Sequence, residues 1–136
     1  DAPVTSGSKQ HCMCLTKTHY RQHITPVLQK LHWLPVKQRV IFKVLTTIHK
    51  SLHSSTAPTY LSELCSVYQP HRTMRSSSDQ WKLVVKRSSN KYGARAINIL
   101  GAQLWNELPL ELRKLETHGA FRKTLKTLLF KREYKT

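Results

Sequence analysis

The chain has 136 residues, with 23 Lys+Arg against 7 Asp+Glu and a formal net charge of +16. That length supports one domain with a core of modest size. No apolar run approaches the roughly 18 residues that span a bilayer, so an integral membrane protein is excluded, while the charge points to a polyanionic partner or to an anionic membrane surface.

In chain order, residues 1–14 carry Pro, Ser, Gly and Thr without periodicity and read as a disordered or truncated lead-in to a single domain over 15–136. The chain opens on Asp1 rather than Met, which gives the expectation of a piece cut from something larger. Thr25 as N-cap and Pro26 at the first helical position begin a short helix that runs toward Leu34. Pro35 ends it and opens the next. From there Val36, Val40, Ile41, Val44, Leu45, Ile48 and Leu52 form the stripe of an amphipathic helix, with Lys37, Arg39, Lys43 and Lys50 on its other side. The helix is expected to stop before Pro58, where a second short helix carries Tyr60, Leu61, Leu64, Cys65 and Tyr68 on one side.

A polar loop follows at 70–80. Trp81, Leu83 and Val85 then alternate with Lys82, Val84 and Lys86, a strand pattern, and Lys91 to Leu100 is β-compatible at its end. An antiparallel hairpin of about 81–87 and 94–100 is the best local reading. The alternative is one helix from Ala94 to Trp105, because Ala96, Ile99, Leu100 and Gln103 also fit that period. Short helical turns are expected at 101–108 and 110–115, separated by Pro109. A last helix, about His118 to Lys131, buries Phe121, Leu125, Leu128 and Leu129. The fold class is mainly α, a small helical domain with a two-stranded hairpin as its one β element.

The charge is placed unevenly. No acid occurs between Ala2 and Ser62, and seven basic residues stand against Asp79 alone between Arg72 and Arg95. Long basic faces without acidic partners suit phosphate contacts better than internal ion pairs. The candidate nucleic-acid contacts are Lys37, Arg39, Lys43, Arg72, Arg75, Lys86, Arg87, Arg95, Arg122, Lys123 and Lys126, with Arg75, Arg87 and Arg95 flanking the hairpin.

Catalytic patterns are absent. The glycines Gly7, Gly93, Gly101 and Gly119 stand alone, and Glu107 and Glu111 sit astride Pro109 as solvated carboxylates. Cys12 and Cys14 are too close for the usual zinc spacing, and Cys65 reads as a small apolar residue. No cofactor, metal or small-molecule substrate is expected, and no catalysis by this piece alone.

Several blocks bear a family likeness. His23-Ile24-Thr25-Pro26-Val27-Leu28, with Leu31-His32-Trp33-Leu34-Pro35-Val36-Lys37-Gln38-Arg39, resembles a signature downstream of the polymerase domain in LINE-type (non-LTR) retrotransposon reverse transcriptases of the Jockey-related group. Ala57-Pro58-Thr59-Tyr60-Leu61-Ser62-Glu63-Leu64, Arg75-Ser76-Ser77-Ser78, Tyr92-Gly93-Ala94-Arg95-Ala96, Leu104-Trp105-Asn106-Glu107-Leu108-Pro109 and Phe121-Arg122-Lys123-Thr124-Leu125-Lys126 continue the series in the same order.

The resemblance covers about Leu15 to Phe130. It implies a C-terminal accessory domain of an RNA-directed DNA polymerase. Its role would be to hold template RNA or target DNA beside its parent polymerase during target-primed reverse transcription, in nucleus and cytoplasm. The family's Asp-Asp metal motif and endonuclease have no counterpart in these residues, and the cysteines do not reproduce the Cys-Cys-His-Cys knuckle of some LINE relatives. The rival is a structural interaction module that docks on the parent polymerase or another protein through the face of Phe121, Leu125, Leu128 and Leu129, its charge incidental.

Overall fold

The computed structural model describes residues 23–54, 56–69 and 81–134. The lead-in expected at 1–14, with Cys12 and Cys14, and the loop residues Arg72 and Arg75 lie outside them. Within them the chain is mainly helical, as expected: α1 (Ile24–Lys30), α2 (Val36–His53), α3 (Thr59–Leu64), α4 (Ala102–Asn106), α5 (Leu110–Arg113) and α6 (His118–Tyr134).

The prolines set the starts. Pro35, Pro58 and Pro109 each take an extended ψ and sit immediately before α2, α3 and α5, where a missing N–H costs nothing. At α1 the cap lies two residues earlier than the sequence suggested: His23 Nδ1 accepts from the Thr25 N–H at 3.4 Å. The helix ends in a Schellman turn, with Trp33 N–H donating to the Leu28 carbonyl at 2.9 Å and His32 N–H to that of Gln29 at 3.1 Å. His32 takes the left-handed position at φ 52, where glycine is usual, and its ring stacks on Phe130 of α6 at 5.3 Å.

Helices α2 and α6 form the frame. Gln38 donates to Glu133 at 2.7 Å near one end, and His49 meets His118 at 3.4 Å near the other, so the two run antiparallel. Between them and α4 lies the core: Leu45 and Ile48, Trp105, then Phe121, Leu125 and Leu129. Val36 and Val40, which the stripe placed on the buried side of α2, remain exposed. The Phe121, Leu125 and Leu129 side chains are at most 2 % exposed, and Leu128 packs half-buried beside them. The docking face of the rival reading is therefore interior.

The hairpin expected over about 81–87 and 94–100 does not form, and among the described residues there is no strand. Residues Gly93–Arg95 make a 3-10 turn, Ala96 is extended, and Ile97–Gly101 form a π-turn leading into α4. Ile99, Ala102, Trp105 and Leu108 are buried at a spacing of three, which a helix can present to one neighbour and a strand cannot. Gly101 allows the close approach this needs: a Cβ there would stand 2.6 Å from Ile48 Cδ1. The helical alternative for this stretch was the better reading, with a break at Ala96.

The other half of the expected hairpin finds different partners. Leu83 forms an isolated antiparallel bridge with Val67, through Tyr68 N–H to the Lys82 carbonyl at 2.7 Å and Val84 N–H to that of Ser66 at 2.9 Å. On its opposite edge, side chains of α4 replace a strand. Asn106 accepts from the Leu83 N–H and donates to the Leu83 carbonyl, both at 2.9 Å, and Trp105 Nε1 donates to the Trp81 carbonyl at 2.8 Å. Because Leu83 is buried, Asn106→Ala leaves two backbone groups without partners. It should lower unfolding free energy by about 2 kcal/mol, measured by denaturant titration. Asn106→Asp, which keeps the acceptor but sets a carboxylate oxygen against the Leu83 carbonyl, should not rescue it.

Candidate functional site

Along the seam of α2 and α6 runs a groove of about 810 Å³. Its α2 wall carries Arg39, Lys43 and Lys50, spaced four and seven residues apart, so all three share one helical face about 16 Å long. The α6 wall carries Arg122 and Lys126, again four apart. In the antiparallel register fixed by Gln38–Glu133 and His49–His118, Lys43 and Lys126 fall at about the same level. Leu34, Phe42, Ala57, Pro58 and Leu61 give the groove an apolar floor, contributed by α2, its two flanking linkers and α3.

No Asp or Glu lines it, and among the described residues none of its five Lys and Arg side chains makes an ion pair. Like charges lining a concave surface with an apolar floor reinforce one another's field, so the groove concentrates anions from solution. Arg39 is already oriented. Its Nε donates to the Leu34 carbonyl at 2.7 Å, and its guanidinium lies 5.9 Å from the Trp33 ring centre. Tyr134 of α6 in turn donates to the Trp33 carbonyl at 3.1 Å, tying the linker to the second wall.

Of the candidate contacts named from sequence, Arg39, Lys43, Arg122 and Lys126 meet in this groove. Lys37 and Lys123 are exposed on the same two helices but do not line it. Lys86, Arg87 and Arg95 are exposed in the segment between the Leu83 bridge and the π-turn, and the hairpin that was to gather them with Arg75 is not there. The sequence placed Lys50 on the basic side of α2 but outside the candidate contacts, although its position seven residues after Lys43 puts it on the same face. Sequence reasoning passed over Thr46 and Thr47, which fall between them. What no pattern showed is the second wall, because the pairing of α2 with α6 joins opposite ends of the chain.

Beneath one end of the groove lies a buried histidine. His49 is fully enclosed, its ring stacked on Phe121 at 4.2 Å and on His53 at 4.4 Å. Its Nε2 lies 2.6 Å from the Leu115 carbonyl, which can only accept, so Nε2 carries the proton and Nδ1 accepts from His118 Nδ1–H at 3.4 Å. His53 Nδ1 likewise donates to the His49 carbonyl at 3.2 Å.

Burial pushes the His49 pKa below its usual 6.5 despite the Leu115 hydrogen bond, and neighbouring His53 and His118 push the same way. The unfolded chain thus binds a proton that the folded one refuses. The His49 contribution to stability is fully present well above pH 6.5 and falls as the pH drops through it. Thermal melts at about pH 7.5 and about pH 5.5 should show a smaller acid loss for His49→Gln, which retains an N–H donor, than for the parent chain.

Among the described residues, no group of three or more His, Cys, Asp or Glu side chains could hold a metal ion. Burial pushes the Cys65 thiol up, against a lowering hydrogen bond from Ser51, so it stays protonated at neutral pH. No helix there is long and apolar enough to cross a membrane. Comparison with family models, curated proteins and solved structures gave no match.

Proposed function

We propose that the chain is a non-catalytic module that holds RNA or DNA by its phosphate backbone in the groove between α2 and α6. The observation that carries this is the convergence of Arg39, Lys43, Lys50, Arg122 and Lys126 on one acid-free concavity. A cationic side chain kept for solubility alone has no reason to face four others across an apolar floor. Phosphates seated there displace counterions, and the contacts fix position without reading sequence.

The ordered blocks shared in likeness with LINE-type reverse transcriptases supply a setting. The module would lie beside a parent RNA-directed DNA polymerase inside the cell and keep template RNA or target DNA in place. The docking-module alternative loses its argued surface, since Phe121, Leu125 and Leu129 are interior. Titration of the chain against labelled RNA and duplex DNA at two salt concentrations tests the proposal. Affinity should fall steeply with salt; a salt-independent affinity, or none, would remove it.

A further inference from the structure

Resting on that reading, the structure assigns a narrower occupant to the groove: a single strand with unpaired bases, rather than a duplex. The charged rim would serve either. The floor would not. A duplex keeps its bases stacked inside and presents phosphates on a convex surface, so Phe42, Pro58 and Leu61 would face water beneath it. An unpaired strand brings flat apolar base faces that can cover such a floor while its phosphates follow the rim. The concavity of about 810 Å³ is of the size that encloses small ligands, room for a few nucleotides and not for a double helix.

Two of the hydroxyls lining the groove distinguish this strand from an acidic amphipathic helix, which could also match a basic rim and an apolar floor. Thr46 Oγ1 donates to the Phe42 and Lys43 carbonyls at 2.8 and 2.9 Å, and Thr47 Oγ1 donates to that of Lys43 at 2.9 Å. Both hydroxyl protons are thus committed to α2, and what each oxygen offers an occupant is an acceptor. Base amino and imino groups supply donors to meet it. Beyond its first turn a docked helix uses its backbone N–H groups internally, and its carboxylates only accept.

The test is fluorescence anisotropy of the full chain with a labelled strand of about 12 nucleotides, alone and annealed to its complement, at about 0.1 M salt. The unpaired strand should bind roughly tenfold more tightly than the duplex. Thr47→Val should weaken the strand by about fivefold and leave the duplex unchanged. Circular dichroism checks that the variant is folded.

Equal affinity for strand and duplex, both falling with salt, would overturn the single-strand assignment and leave the phosphate-binding reading standing. Absence of binding to either would overturn both. Displacement of the strand by an acidic helical peptide at lower concentration than by unlabelled strand would overturn the assignment in favour of a protein partner.

Discussion

Replacing Lys43, Arg122 and Lys126 together with Gln should lower the affinity for a single strand by about a hundredfold at about 0.1 M salt and bring it back to the parent value near 1 M. The magnitude follows from counterion release. Each phosphate contact to a single strand contributes about 0.7 to the slope of log affinity against log salt, so three lost contacts remove about two units of slope. One decade below 1 M salt, that is about two decades of affinity. All three side chains are exposed and lie on acid-free walls, so their loss leaves packing intact and relieves like-charge repulsion. The melting temperature should hold or rise slightly. A parallel replacement of Lys86, Arg87 and Arg95, which lie away from the groove, sets the contrast. If that triple removes the same slope and the groove triple removes none, the contacts are elsewhere.

The second large effect concerns the wall rather than the charges. Phe121→Ala should cost about 3–5 kcal/mol, a substantial part of the 5–15 kcal/mol that holds a small domain together. Phe121 is completely enclosed, stacked on His49 and 5.8 Å from the Trp105 ring, so truncation opens a cavity at the junction of α2, α4 and α6. Arg122 and Lys126 stand one and five residues further along the same helix. When α6 loosens, the groove loses a wall, and binding should fall with the folded fraction. Phe121→Leu keeps most of the apolar volume and should cost well under half as much. Denaturant melts followed by near-ultraviolet dichroism, with anisotropy on the same samples, report both effects. Binding that survives unfolding would place the contacts in a flexible chain instead of a built groove.

How far the sequence foretold this varies by element. The starts of α2, α3 and α5 were legible because Pro35, Pro58 and Pro109 act locally: a fixed φ and a missing N–H decide the matter within a residue or two. The long helix α2 was legible from its apolar period, and α6 from Phe121, Leu125 and Leu129. The hairpin was not, because alternation at 81–87 shows that a segment is extended but not which chain pairs with it. Here the partners were Ser66 to Tyr68 on one edge and the Asn106 side chain on the other. The burial of His49 was not legible for a similar reason: a polar residue becomes interior when the Leu115 carbonyl and the Phe121 ring, far along the chain, are waiting for it. The rim residues Arg39, Lys43, Arg122 and Lys126 were found from charge alone. Their convergence needed the pairing of two helices that no local pattern encodes.

That pairing has a consequence for how the protein comes into being. Gln38 and Glu133 are 95 residues apart, so α2 leaves the ribosome long before the helix that completes its groove is made. During that interval Leu45, Ile48 and Trp105 have no α6 to cover them, and the nascent chain carries a sticky apolar face flanked by lysines and arginines. A message cut short before the codon for His118 would yield a product unable to finish its core. The groove thus forms only once α6 has been made and packed.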